Sequence, residues 1–328
     1  MVYFAANEED IEPEDISYTD ILLACTRHLV ESLKESNPEP LLNWLREQWN
    51  SLNELATTPI EFESLAIEAQ ISQFAKLTAN LRAVPSTRQK IRDLIDTQTV
   101  SLLKALNEFI TESKHNSNQK LVILVDNLDR IVPIIRDEHS GNTNHDEIFI
   151  DRAEQMTKLV CHVVYTILIS MIYSNKATQL ESHYTSVDVL PMITVQQRGT
   201  RELNEYGVKT LKELIIKRIK KAVPDFSVAT LIGEIFESEQ VLNDLCIQSG
   251  GHIRNVMQLM KFSLKRSNNL PITSKALRRT VAEMGETYRR MIFESQWSML
   301  AKVYLLQKIF DDEQYRKLLF NRCILCYR

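Results

Sequence analysis

Two acidic residues at the end of an apolar run are the first chemistry the chain offers. Residues 121–130 read Leu-Val-Ile-Leu-Val-Asp-Asn-Leu-Asp-Arg, so Asp126 closes a stretch of β-branched and leucine side chains. Such a stretch predicts a central parallel strand buried on both faces. A carboxylate at its carboxyl end lies where open α/β sheets bind ligands, and there Asp126 would hold magnesium through water. Asp129, three residues on, is placed to orient or deprotonate an attacking water. Asn127 between them cannot act as a base. The alternative is a buried strand with an acidic turn behind it. A second constellation is Ser-Gly-Gly-His-Ile-Arg, residues 249–254. Two glycines there precede a helix whose first turn presents Arg254, and an arginine held in that way can reach a terminal phosphate through charge-assisted hydrogen bonds. The alternative is a helix start with a solvated arginine.

Elements to position these groups follow from periodicity. Residues 2–6 read as a short buried strand followed by an acidic loop. An amphipathic helix over residues 18–36 carries Ile21, Leu22, Cys25, Leu29 and Leu33 on one face. A largely helical region follows to about residue 116, with Trp44 and Trp49 as anchors between helices and Pro59 and Pro85 as punctuation. It ends in a long helix with Ile91, Leu94, Ile95, Leu102, Leu106, Phe109 and Ile110. After the acidic strand, a helix is expected at about 148–159 and two further strands at 162–173 and 187–195. Apolar strands separated by helical crossovers predict an α/β parallel sheet. From Gly207 onward the pattern is helical, and residues 321–328 look strand-like.

In this order the motifs resemble the AAA+ and STAND branches of P-loop ATPases, especially the origin-recognition-like group and bacterial ATPases related to it. Leu-Val-Asp-Asn-Leu-Asp-Arg is similar to the Walker B run of KAP-type ATPases, except that Asn127 replaces the second acid. Gly-Gly-His-Ile-Arg resembles sensor 2, and residues 162–175 occupy the sensor 1 position. The resemblance implies that Ser174 or Asn175 meets the γ-phosphate, that Arg254 contacts nucleotide, and that ATP and Mg2+ are the cofactors of the complete relative. It also implies an incomplete P-loop core over residues 1–205 with a helical insertion at about 37–116. A helical lid at 206–293 and the start of a winged-helix domain at 294–328 complete it. The chain departs from the family in one place. No Gly-x-x-x-x-Gly-Lys-Ser/Thr loop occurs, because the glycines fall at 141, 199, 207, 233, 250, 251 and 285 and none begins it. In the relative that loop and its strand precede the strand that residues 2–6 resemble, so the chain reads as truncated at both ends. The implied function is a regulatory ATPase-family switch that is inactive alone. The alternative is a nucleotide-independent protein- or DNA-interaction module.

Composition narrows the classes. Of 328 residues, 44% are hydrophobic and 25% charged, enough apolar material for a real core. Only 7 glycines in a chain rich in leucine, glutamate and lysine favour long helices over turn-rich all-β folds. A net charge of -4 selects no partner, so only local charge speaks to nucleic acid. The basic runs at 209–221 and 278–290 read first as solvated helix faces, with phosphate-backbone contact the lesser reading. Five cysteines, an odd number, point to a reducing compartment. Cys323 and Cys326 form a lone C-x-x-C, short of the four ligands of a structural zinc. The acidic N-terminus is unlike a signal peptide, and the apolar stretch at 159–173 is too short to span a bilayer, so a cytoplasmic protein without membrane contact is expected. Oligomerisation and an unidentified protein partner are left open.

Overall fold

The computed structural model describes residues 1–6, 11–33, 37–53, 85–137, 141–200, 202–267, 269–310 and 312–327. The chain is α/β and mostly helical, with a small parallel three-stranded sheet, and divides into two compact units, Met1–Val187 and Asp188–Arg328. Residues 188–205, placed with the α/β core by sequence, belong to the second unit.

In the first unit, β1 (Val2–Ala5), β2 (Val122–Asp126) and a third strand, His162–Tyr165, pair in parallel with β2 in the centre. Register places Tyr3 beside Leu124 and Leu124 beside Val164, with Ala5 beside Asp126. Side chains alternate across a strand, so Val2, Phe4, Ile123 and Val125 share one face and are buried. Helix α1 (Tyr18–Ser32) packs on β1 and on the long helix described next. Its Ile21, Leu22, Cys25 and Leu29 are buried as their spacing predicts. Phe4 stacks on His28 of this helix, ring centroids 4.1 Å apart. Among the described residues the opposite sheet face stays open, with Tyr3 55% and Val164 47% exposed. Fully buried parallel sheets are the rule, so this sheet departs from the expectation of burial on both sides.

Helices α2 (Glu39–Asn53) and α3 (Pro85–Ser117) pack together. Trp44 is buried there, its indole N–H donating to Ser101 Oγ at 2.9 Å. Residues 54–84 of the expected insertion, Pro59 among them, and the side chain of Trp49 lie outside the described residues. Arg92 fastens α3 to the start of α1, its Nη1 2.7 Å from Asp15 Oδ1 and its Nη2 2.6 Å from Asp20 Oδ2.

Beyond β2 the chain makes a ribbon of β3 (Ile135–Asp137) and β4 (Asn142–Thr143), and the His162–Tyr165 strand is therefore β5. The helix expected at 148–159 forms as three short pieces, Asn144–Asp146, Glu147–Asp151 and Ala153–Thr157. The strand expected over 162–173 stops at Tyr165, and Ile169–Tyr173 is a tight 3-10 turn followed by α4 (Ala177–His183).

The second unit is built from α5 (Glu205–Ala222), α6 (Glu239–Gln248), α7 (Ile253–Arg266), α8 (Ser274–Met291), α9 (Gln296–Leu306) and α10 (Glu313–Phe320). Its core includes Leu211, Ile215, Phe236, Leu245, Val256 and Leu277. Residues 187–195, expected as a strand, form none. Two glycines explain what they do instead. A Cβ on Gly207 would stand 2.0 Å from Thr194 O, and one on Gly251 would stand 1.7 Å from Ile193 O. The extended segment is thus pressed against two helix starts, and Ile193 N donates to Gly251 O at 3.2 Å. Residues 321–327 likewise form no strand, although Met192 N donates to Cys326 O at 2.9 Å.

Candidate functional site

Asp126 ends the central strand on the open face of the sheet, and the neighbouring strands supply its partners. Tyr3 of β1 donates its hydroxyl to Asp126 Oδ2 at 3.1 Å. Thr166, the first residue beyond β5, donates its hydroxyl to Oδ1 at 2.9 Å. Asn127 donates its backbone N–H to the same oxygen at 2.8 Å. Asn127 itself sits at φ 68°, in the left-handed region where a short polar side chain is tolerated better than most. That conformation begins the turn Leu128–Arg130. Leu128 and Ile131 anchor the turn in the core, and Asp129 is left half-buried between them.

Burial alone would raise the Asp126 carboxyl. The three hydrogen bonds, from Asn127, Thr166 and Tyr3, and the charge of Arg130 outweigh it and hold the carboxyl below the ordinary range. The same hydrogen bond, with the negative charge of Asp126, pushes the Tyr3 phenol up. Asp126 is therefore a fixed anion at the sheet edge.

Sequence reasoning placed Asp126 at a strand end, as found, but missed Tyr3 and Thr166. A signal for them existed: alternation puts Tyr3 on the face of Asp126, and Thr166 is the first polar residue after an apolar run. Without the register neither could be joined to Asp126. Ser174 and Asn175 lie beyond the strand, behind the Ile169–Tyr173 turn. The Ser174 hydroxyl donates to Met171 O at 2.8 Å and accepts from Lys176 N at 3.2 Å, while Asn175 is exposed.

Arg254 belongs to the second unit, as the second residue of α7, and is half-buried. His252 caps that helix, its Nδ1 accepting from Asn255 N at 3.3 Å. Burial, then the charges of Arg322 and Arg254, lower the His252 imidazole. Both glycines before it have positive φ, 60° and 72°. Their amide hydrogens are engaged within the chain: Gly250 N donates to Ile247 O and Gly251 N to Ser249 Oγ. A Cβ on Gly251 would run into Ile193, and one on Gly250 would meet Leu325 and Tyr327, so both glycines are packed within the chain.

The cofactors implied by the resemblance meet two different answers. The sequence carries no Gly-x-x-x-x-Gly-Lys-Ser/Thr loop, the phosphate cradle that the resemblance would need, and Gly250 and Gly251 are packed against other parts of the chain. A hydrated magnesium ion fits Asp126 through a single water contact. A carboxylate offers about four acceptor positions, and three are engaged here. Among the described residues no group of three or more His, Cys, Asp or Glu side chains is arranged to hold a metal directly. A separate cavity of about 890 Å³ opens along α3 and the 152–158 segment, lined by Tyr18, Asp96, Leu103, Asn107, Arg152 and Gln155 among others. It shares no residue with the Asp126 cluster.

No family model, curated protein or solved structure matches the chain. Among the described residues no helix is long and apolar enough to cross a membrane.

Proposed function

We propose that the chain is part of a regulatory switch of the AAA+/STAND-like ATPase class, with ATP binding and hydrolysis belonging to the complete relative and not to these residues alone. The observation that carries the reading is Asp126: a charged carboxylate at the carboxyl end of the central strand of a parallel sheet, oriented by both neighbouring strands. In this reading Asp126 holds a hydrated magnesium ion through water, and Asp129 in the following turn orients the attacking water. The nucleotide contacts that the resemblance assigns to Asn175 and to Arg254 are each proposed for the complete relative. Tyr3 and Thr166 keep the Asp126 carboxylate ionised and fix its direction. Bound magnesium would supply charge neutralisation for phosphate.

The test uses Mn2+ as a paramagnetic stand-in for magnesium. Millimolar Mn2+ should broaden the amide signals of Asn127 and Thr166, and Asp126→Asn should abolish the effect. Unchanged spectra in the original protein would remove the metal role.

A second reading, a nucleotide-independent interaction module, rests on a different observation. Gly251 is packed against Ile193 and Gly250 against Leu325 and Tyr327, as in a purely structural helix start. DNA contact would fall to α5, where Lys209, Lys217, Arg218, Lys220 and Lys221 are exposed while Lys212 pairs with Glu239.

A further inference from the structure

The cavity beside α3 is held between two ties. At one end Arg152 pairs with Asp96 at 3.2 Å, and its guanidinium lies over the Tyr18 ring, 4.9 Å from the centroid. At the other end Asn107 fastens the neighbouring segment to α3, its Nδ2 donating to Lys158 O at 3.0 Å and its Oδ1 accepting from Val160 N at 2.9 Å. The lining includes buried Leu103, and Val100 stands bare in it at 84% exposure. Lining positions on α3 run from Asp96 to His115, roughly 28 Å at the rise of a helix. A volume of about 890 Å³ spread over that length leaves a cross-section of roughly 30 Å². Such a space is long and narrow, and it suits an unbranched chain.

The polar groups of the lining do not cancel. Its three Lys and Arg side chains are each engaged with an acid of the same lining: Arg152 with Asp96, Lys158 with Glu154 at 2.6 Å, and Lys104 with Glu108 at 4.0 Å. Two acceptors are left over. The half-buried Glu112 carboxylate has no partner among the described residues, and neither has Gln155 Oε1, which is shut off from water. A buried acceptor without a donor costs free energy, and a ligand that donates recovers it. Gln155 lies between the two ties in sequence, while Glu112 lies more than a turn of α3 beyond Asn107. The missing donors are therefore spaced along the length of the cavity. Their charge follows from the unit as a whole. Residues 1–187 hold 28 Asp and Glu against 16 Lys and Arg, so the field of this unit draws cations and repels anions.

We propose that this cavity binds a linear aliphatic polyamine. One ammonium group donates to the Glu112 carboxylate, a second donates to Gln155 Oε1, and the methylenes between them cover Val100 and Leu103. An alkyl carboxylate of the same length would meet Glu112 with like charge, and a neutral alcohol would leave that carboxylate without a counter-ion. The inference does not depend on the nucleotide reading, because the cavity shares no residue with the Asp126 cluster.

Isothermal titration of the full chain with spermidine at physiological salt tests it, with circular dichroism confirming that each variant folds. Saturable binding of one spermidine per chain is expected. Glu112→Gln should weaken it by roughly tenfold or more, as the loss of a charge-assisted hydrogen bond does. Gln155→Met, which keeps the volume and removes the acceptor, should weaken it severalfold. Val100→Arg, at an exposed position, should abolish it by setting a guanidinium in the path of the chain. Magnesium at the same concentration should not displace spermidine, because it has no methylenes to lay on Val100 and Leu103. Absence of saturable binding would overturn the proposal. So would full affinity in Glu112→Gln or in Val100→Arg, or displacement by magnesium, which would reduce the effect to the general attraction of an acidic unit for cations.

Discussion

Tyr3 and Thr166 reach Asp126 from opposite sides, but removing them should have unequal consequences. Tyr3 is exposed, so water replaces its hydroxyl in Tyr3→Phe, and stability should be unchanged within error. Thr166 is half-buried, and Thr166→Val should cost about 1 kcal/mol. Both variants remove a donor from the carboxylate, so both should move the Asp126 pKa upward, as read by carbon-13 NMR of its carboxyl during an acid titration. The sign of the linked stability follows from the depressed folded value. The contribution is complete above the unfolded pKa and is lost as pH falls through the folded one. Thr166→Val should therefore flatten the acid limb of the stability curve. A carboxyl signal that titrates identically in all three proteins would mean these hydrogen bonds are absent in solution.

His145 works in the opposite chemical sense within the same unit. It is buried, its Nε2 lies 3.0 Å from Ile131 O, and its Nδ1 has no hydrogen-bond partner among the described residues. Burial, only partly offset by the Ile131 carbonyl and Asp146, lowers the imidazole to about 4. In the unfolded chain it binds a proton near pH 6.5. Between those values the unfolded state binds more protons, so stability falls as pH falls, by on the order of 3 kcal/mol across the window. Urea unfolding between pH 7 and pH 4 should show this loss, and His145→Gln should remove most of the slope. A slope equal in both proteins would place the titrating group elsewhere.

At the scale of elements, glycine separates structure from expectation. Residues 187–195 carry a strand's composition, yet no neighbouring strand pairs with them among the described residues. They are taken up instead by helix starts that lack a side chain at the point of contact. Gly251→Ala adds a methyl where Ile193 O already stands and holds it at φ 72°, so a loss of about 3 kcal/mol or more is expected. Gly285 in α8 meets nothing within 4 Å, and Gly285→Ala should stabilise by about 0.5–1 kcal/mol. Thermal unfolding followed by circular dichroism measures both, and a Gly251→Ala protein melting with the original would show that the segment sits elsewhere. Periodicity gave α1, the core face of α3 and the end of β2, because each repeats its apolar residues at a fixed spacing. It could not give the role of Gly251, since a glycine before a helix reads the same whether or not a backbone oxygen is packed against it. It could not give Thr166 beside Asp126 either, because the register of two strands whose paired residues are 40 positions apart is a property of the sheet.

For the whole molecule, the decisive quantity is affinity for nucleotide. The 328 residues contain no phosphate-binding loop, and the Gly-Gly pair that resembles a nucleotide sensor has its amides engaged and both residues packed within the chain. Asp126 alone offers one water-mediated contact to a metal, too little to hold a triphosphate tightly. A ligand present at 100 times its dissociation constant stabilises the native state by about 2.7 kcal/mol. For units of this size each kcal/mol moves the melting temperature by about 2–4 °C. Millimolar MgATP bound with micromolar affinity would therefore raise it by well over 5 °C. The expected shift is below about 1 °C on that scale, and Asp126→Asn should not change it. A rise of several degrees in the original protein, lost in Asp126→Asn, would mean that the phosphates find a cradle the glycine positions do not reveal.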